Sequence, residues 1–464
     1  MKRRDFFRNT SLGLLGTAMV APVRTFARQI SSQGHHARNI IFLVSDGMST
    51  GTLNMASLLL QRKEGRQSHW LQLYETNQVA RALMSTASAS SLVTDSAAAS
   101  SAWGGGVRVH NGSLNVGPDG THYTPILQKF KAAGKAVGCV TTVPITHATP
   151  AGFCISNSHR GDMGEIATQY LPLQFDVMMG GGAHYFRADK RKDQTDLFAR
   201  YSTAGYTVVR ERTSLLALPE QHTRPLLGVF DDEGLPYSLD RQQDTRLQQQ
   251  VPTLAEMTRQ AIRQLRRNKN GFVMQVEGGK VDWAAHANDA GALLYDQIAF
   301  DEAIKVAVDF AEQDKHTLVI ITTDHGNANP GLYYGDNTDV SFDRLQHYRH
   351  TNEWILNGIT RNDTPAKVAE RIAYAQGFTI SPTDAAALLQ HYTHLDEGGL
   401  YNPRKLPYKA LAALQTTATA IAWGGMDHTA DYVELAMLGP GSELLPAFVK
   451  NTDLHTLMLR ATGL

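Results

Sequence analysis

Two clusters of aspartate and histidine stand far apart in the chain, Asp282-Trp283-Ala284-Ala285-His286 and Thr323-Asp324-His325-Gly326. Together they offer ligands for two transition-metal ions. The i, i+4 spacing of Asp282 and His286 puts a carboxylate and an imidazole on one face of a helical turn, as two adjacent corners of a zinc tetrahedron. Asp324 and His325 follow the β-branched run 317–322, which predicts a buried parallel strand with the pair at its carboxyl end. Open α/β sheets bind ligands at that end. Two more apolar runs close in the same way, residues 39–45 on Asp46-Gly47-Met48 and residues 271–276 on Glu277-Gly278-Gly279. Strand-end acids converging on one edge are costly to bury without cations, so metal coordination is the expected use of them.

A third element is Val93-Thr94-Asp95-Ser96-Ala97-Ala98-Ala99, where a loop of small residues runs into an alanine-rich helix with Ser96 at or just before its start. The free N–H groups and positive dipole end there favour an alkoxide or a phosphate, and a nearby metal would lower the hydroxyl's pKa further. A serine beside two metals points to covalent phosphoryl transfer. Plainer readings exist for each part: Ser96 as a helix cap, Asp282 with His286 as a solvated pair, Asp324 with His325 as a strand-end turn. Their joint occurrence with the other strand-end acids is what those readings leave unexplained.

The elements that must position these residues alternate along the chain. Strands are expected at 39–45, 80–85, 135–142, 175–179, 271–276 and 317–323. Helices are expected at about 50–61, from 96, at 124–133, 253–267 and 290–313. This is the pattern of an α/β fold with a largely parallel central sheet flanked by helices on both faces. Gly180-Gly181-Gly182 lacks the Gly-Lys-Ser of a phosphate loop and reads as a turn. Residues 31–330 form the expected catalytic core and 423–464 return to it. Residues 331–422 are an expected inserted cap, with helices at 364–376 and 383–392 and the loop Glu397–Pro403.

In their order the motifs closely resemble those of the alkaline phosphatase family, over residues 39–330 and 423–441. They are Asp46-Gly47-Met48, Thr94-Asp95-Ser96-Ala97-Ala98, Thr146-His147-Ala148-Thr149-Pro150, Val276-Glu277-Gly278-Gly279, Asp282 with His286, Thr323-Asp324-His325 and Asp427-His428-Thr429. The resemblance implies a three-layer sandwich and two Zn²⁺ sites. The first is held by Asp282, His286 and His428, with an open position for water. The second is held by Asp46, Asp324 and His325, with Ser96 Oγ as fourth ligand. A third site would share Asp46 with Thr149 and Glu277, oxygen ligands that suit Mg²⁺. Arg160 falls where the family places its phosphate-binding arginine, though by itself it reads as a surface ion pair with Asp162. The implied reaction is attack of Ser96 on phosphorus, then hydrolysis of the phosphoserine by hydroxide at the first zinc. Small phosphomonoesters of broad range are the implied substrates.

The chain departs from the better-known pattern at His147 and Trp283, where some members carry an acid and a lysine. In an extended segment His147 and Thr149 point to one side, so the imidazole either ligates the third ion, favouring Zn²⁺ or Co²⁺, or only bonds a metal-bound water and leaves Mg²⁺ in place. A phosphodiesterase or sulfatase on the same metal scaffold is the alternative enzyme. A non-catalytic exported binding protein would be expected to lack Ser96 or a zinc ligand, and neither is missing.

Forty-four basic residues balance forty-four acidic ones in 464, which argues against a nucleic-acid or membrane-surface partner. Lys2-Arg3-Arg4-Asp5-Phe6-Phe7, an apolar stretch from Ser11 to Val20 and Thr25-Phe26-Ala27 resemble a twin-arginine export signal covering residues 1–30. The apolar run is too short to span a bilayer, so a periplasmic or secreted location is expected, with no membrane span in the mature chain. Cys139 and Cys154 read as buried thiols, with a bridge left open by export. Monomer and homodimer both stay open.

Overall fold

The computed structural model describes residues 36–394 and 406–464. The expected export signal and the loop Glu397–Pro403 lie outside the described residues. The strands are β1 (Asn39–Val44), β2 (Ala80–Ser85), β3 (Ala136–Pro144), β4 (Val177–Gly181), β5 (Thr207–Val209), β6 (Leu226–Val229), β7 (Phe272–Glu277) and β8 (Thr317–Thr322). Four two-residue strands follow, β9 (Gly326–Asn327), β10 (Gly331–Leu332), β11 (Ile421–Ala422) and β12 (His428–Thr429), then β13 (Val433–Leu438) and β14 (Phe448–Lys450). Ten of them form one sheet in the order β14-β2-β13-β8-β1-β7-β3-β4-β6-β5. Only β13 runs antiparallel to its neighbours in it.

The central strand β1 is buried throughout, which is why it reads as an unbroken apolar run. Its side chains alternate between two cores, with Ile40, Phe42 and Val44 in one and Ile41 and Leu43 in the other. Helices therefore cover both faces, as the sequence pattern required. Within 331–422, the helices Asn352–Asn357, Pro365–Gln376, Pro382–Gln390 and Tyr408–Thr419 build a smaller core from Ile355, Val368, Ile372, Leu388 and Leu411.

Two local expectations fail. Gly180 and Gly181 belong to β4 instead of a turn, because a Cβ on Gly180 would meet the Thr141 side chain at 2.7 Å and the Val143 carbonyl at 2.9 Å. Only Gly182, at φ 97°, leaves the strand. The segment around Thr149 is not extended either: it forms the helix Ala148–Cys154, with His147 at its N-cap position. Small residues gave that helix no apolar period to read. Cys139 and Cys154 are free, buried, and 3.6 Å apart at sulfur.

The helices Ser96–Gly104 and Ala148–Cys154 cross backbone to backbone, and this contact sets Ser96 and Thr149 on one side of β1. A Cβ on Gly104 would run into the Gly152 carbonyl, and one on Gly152 into Ser100. Gly152→Ala is therefore expected to destabilise the protein by about 1–3 kcal/mol, the usual cost of overpacking. Thermal unfolding checks this, and metal analysis would show weaker retention of any ion held beside Thr149.

Candidate active site

Asp46, Glu277 and Asp324 leave the carboxyl ends of three adjacent strands, since β1 lies between β7 and β8 with Val44 paired to both Glu277 and Thr322. Neighbouring strands lie about 4.8 Å apart, so this alone gathers three carboxylates. Gly47, at φ 69°, turns the chain after Asp46. A Cβ there would meet the Asp282 Cα at 2.9 Å, so glycine is what admits Asp282. The N–H groups of Gly47 and His325 both donate to Asp324 Oδ1 at 3.0 Å, while Asp324 Oδ2 has no hydrogen-bond partner.

The i, i+4 pair sits on the helix Lys280–His286, with Asp282 Oδ2 3.5 Å from His286 Nε2. His428 arrives from the other end of the chain through pairing of β12 with β9, His428 opposite Asn327. Its Nε2 lies 3.5 Å from Asp282 Oδ1 and 3.1 Å from His286 Nε2. The Nδ1 atoms of His286, His428 and His325 face the carbonyls of Met426 (2.7 Å), Thr94 (2.9 Å) and Gly326 (3.3 Å). Donation to those carbonyls places the proton on Nδ1 and aims each Nε2 lone pair inward, as metal-ligating histidines are held. Two lone pairs at 3.1 Å require a cation between them, a proton or a metal ion.

Ser96 opens its helix, and Asp95, not Ser96, is the cap, accepting from Ala98 N–H at 2.9 Å. The serine hydroxyl is thereby left free for the site. Ser96 Oγ lies 3.3 Å from His325 Nε2 and 3.5 Å from Asp46 Oδ1, and His325 Nε2 is 3.2 Å from Asp324 Oδ2. On the other side of Asp46, Thr149 Oγ1 donates to Oδ2 at 3.0 Å, and Thr141 donates to Glu277 Oε2. Glu277 Oε1 and His147 Nδ1 are buried without partners among the described residues. Ligand atoms thus gather in three groups: Asp282, His286 and His428; Asp46, Asp282 and His325; and Asp46, His147 and Glu277.

Arg160 reaches into the same space. Nη1 donates to Asp95 Oδ2 at 2.9 Å and Nη2 lies 3.1 Å from His147 Nε2, so its ion pair is with Asp95 and not Asp162. The Trp283 indole packs edge-on against the His147 ring, centroids 6.1 Å apart. Behind it the Lys280 ammonium, on a side chain 3% exposed, lies 3.7 Å from the Tyr237 ring centre and 4.7 Å from that of Trp283.

Every residue singled out from the sequence for the site is therefore within this cleft. Thr141, Asn327 and Lys280 were missed, and Asp95 stood in a quoted motif with no role assigned to it. Asn327 Nδ2 donates to Asp282 Oδ1 at 2.7 Å and so orients a carboxylate that two histidines share. These residues touch other side chains of the site and belong to no spacing that a sequence displays.

The residues fit metal ions on electrostatic grounds. Burial pushes the carboxyls of Asp46 and Glu277 well above the usual range, with neighbouring carboxylates adding to it. Asp324 is pushed up to about 8, mostly by burial. Burial acts the same way on Asp282, but the charges of His286 and His428 outweigh it and hold that carboxyl low. Burial depresses the His325 imidazole and is outweighed at His428, which Asp282 raises. Buried acids whose lone pairs lack donors are stable as anions only beside cations.

A pH test follows. Without metal, the raised carboxyls keep protons in the folded state that the unfolded chain releases, so stability falls as pH rises. Each such proton contributes about 1.4 kcal/mol per pH unit. Between about pH 7, where an ordinary histidine is mostly neutral, and the Asp324 value of about 8, metal-stripped protein is expected to lose several degrees of Tm. Asp289 and Asp296, also pushed up to about 7 by burial, act equally in both forms. Restored metal should shrink or reverse the fall, and calorimetry of both forms across this range checks it.

A serine at a helix start, facing three inward histidines and four buried carboxylates at the carboxyl edge of a parallel sheet, defines a metal-dependent hydrolase. The family model described as alkaline phosphatase matches residues 37–464, wider than the two blocks of motifs. Alkaline phosphatase 4 of Bacillus subtilis (strain 168) is 30% identical over 482 residues, covering 99% of each chain. The crystal structure of Thermus thermophilus alkaline phosphatase superposes with a TM-score of 0.85 at 34% identity, over 93% of this chain and 92% of that one. A cold-active alkaline phosphatase from a psychrophilic Shewanella sp. gives 0.77 at 26% identity, over 91% and 99%. The chain belongs to the alkaline phosphatase family, and it is a phosphomonoester-hydrolysing enzyme.

Proposed function

We propose that Ser96 is the nucleophile and Arg160 the phosphate clamp of a two-step phosphomonoesterase. The observation that carries this is Ser96 Oγ at a helix start, within 3.5 Å of both His325 and Asp46. In the first step Ser96 Oγ attacks phosphorus while the bond from phosphorus to the ester oxygen breaks and the alcohol leaves. In the second, water attacks the phosphoserine, the Ser96 Oγ–P bond breaks, and inorganic phosphate departs as Ser96 regains its proton. Arg160, aligned by Asp95, forks onto two oxygens of the transferred phosphoryl group, which favours a dianionic monoester over a diester.

In this reading Asp282, His286 and His428 hold one Zn²⁺. Asp46, Asp324 and His325 hold a second beside Ser96, and Asp46, Thr149 and Glu277 hold a third ion. Bound there, the ions supply Lewis-acid charge that lowers the pKa of a hydroxyl or water and stabilises entering and leaving oxygens.

His147 bears on which ion the third site would hold. With Nε2 accepting from Arg160, the neutral ring carries its proton on Nδ1, and burial with the charge of Arg160 pushes its pKa down to about 3. An Nδ1–H would be free to donate to an oxygen held at the third site and could not itself ligate an ion there. This supports Mg²⁺ held by oxygen ligands over Zn²⁺ or Co²⁺ on the imidazole. We also propose export by the twin-arginine signal of residues 1–30 to the periplasm or medium. Residues 331–422 act as a cap on the core formed by 31–330 and 423–464, tuning substrate access without supplying a ligand.

Arg160→Ala tests the clamp. It is expected to weaken inhibition by inorganic phosphate and cut monoester kcat/KM by on the order of 10²-fold, with a smaller loss on a matched diester. Equal losses on both, or an aryl sulfate or diester hydrolysed faster than the monoester by the parent enzyme, would favour the alternative activities.

A further inference from the structure

The metal cleft occupies the carboxyl edge of the sheet; the opposite edge, roughly 20 Å away along six-residue strands, has a different character. Between Glu256 and Glu277 the chain carries five basic residues and no acidic one. Because the helix Leu254–Leu265 descends to the start of β7, its end delivers Arg266, Arg267 and Lys269, all exposed, to that edge. Lys135 joins them, its ammonium donating to the Arg38 carbonyl at 2.8 Å and the Asn270 carbonyl at 2.9 Å. Of these cations only Arg38 has an ion pair among the described residues, with Asp314 at 3.0 Å. That carboxylate also accepts from Asn39 and Thr317, so its charge is engaged within the protein.

Between the helix ends the same edge has a groove of about 480 Å³ lined by Arg266, Arg267, Phe310, Gln313 and Asp314. Two arginines lining one groove with an apolar ring suit an amphiphile with an anionic head. The balanced net charge that spoke against a membrane-surface partner does not exclude a local patch: Lys135, Arg266, Arg267 and Lys269 gather at this edge and outnumber Asp314 and the exposed Glu312 beside them.

We propose that this basic edge docks the enzyme on an anionic phospholipid surface, with the Arg266–Arg267 groove taking a phosphate headgroup and the metal cleft facing away into solution. The cations come from the ends of several elements and spread over a face, which matches a charged surface better than the stripe that tracks a nucleic-acid backbone. The residues between them are asparagines, a glutamine and a glycine, not aromatics on which bases could stack.

The test is co-sedimentation of the full chain with phosphatidylglycerol–phosphatidylcholine vesicles and with phosphatidylcholine alone, against an Arg266→Gln, Arg267→Gln, Lys269→Gln variant. The parent is expected to partition onto anionic vesicles and not neutral ones. The variant, or salt raised to about 0.5 M, is expected to cut that partition tenfold or more, with monoesterase kcat/KM in solution unchanged. Charge reversal of Lys269 alone, Lys269→Glu, gives a milder second variant should the triple one fold poorly. Equal partition of parent and variants, no preference for anionic vesicles, or tighter binding to single-stranded DNA than to the vesicles would overturn the proposal.

Discussion

Ser96→Ala is expected to lower monoester turnover by on the order of 10⁴-fold or more while leaving Tm and metal content nearly unchanged. The reason is local. The helix Ser96–Gly104 is capped by Asp95, and among the described residues Ser96 Oγ makes its side-chain contacts toward His325 and Asp46, so its removal costs the helix nothing. Alanine also keeps the helix propensity of the segment. Initial-rate kinetics with an aryl phosphate, together with calorimetry and metal analysis, separate this from a folding defect: an inactive variant that had also lost its metal would make Ser96 a structural residue.

Asp46→Asn should have the second-largest effect, because Asp46 stands in two of the three ligand groups and donates nothing when ionised. An amide brings no charge and turns an N–H₂ toward the ions. With the proposed ligand sets, loss of the two ions that would share Asp46 is expected, with activity falling by on the order of 10³-fold, beyond the roughly 10–100-fold that loss of a supporting hydrogen bond costs. The stabilities should move in opposite directions. In stripped protein the substitution removes a buried carboxyl that neighbouring carboxylates raise, so Tm should rise; in loaded protein it removes a ligand, so Tm should fall. If Asp46→Asn retains all its metal, Asp46 is not the shared ligand.

Most of the proposed ligand set was legible because those residues follow a strand end or share a helical turn. Asp46, Glu277 and Asp324 each close an apolar run, and Asp282 and His286 are four apart, so the rules of strand and helix geometry locate them. His428 has no such neighbour. It enters by pairing with Asn327 about a hundred residues away, which no local pattern encodes, and only the resemblance of motifs pointed to it. Supporting groups were illegible for the same reason: Thr141 and Asn327 matter through contacts set by sheet order. Arg160 showed the limit most clearly. Its nearest acid in sequence, Asp162, is not its partner, and Asp95, which caps the helix Ser96–Gly104, is. The short helix at Ala148–Cys154 failed differently, since alanine, threonine, proline and glycine give no amphipathic signal, and this error placed His147 on the wrong backbone.

The central claim is that Ser96 carries the phosphoryl group between substrate and water. Acid quenching of the enzyme during turnover of a phosphoryl-labelled aryl monoester, followed by proteolysis and peptide sequencing, tests it most directly. The account predicts one labelled peptide, containing Val93-Thr94-Asp95-Ser96, with the label on Ser96 and absent from Ser96→Ala. Label on any other residue, or rapid turnover with no trapped phosphoenzyme and no burst of alcohol, would contradict it.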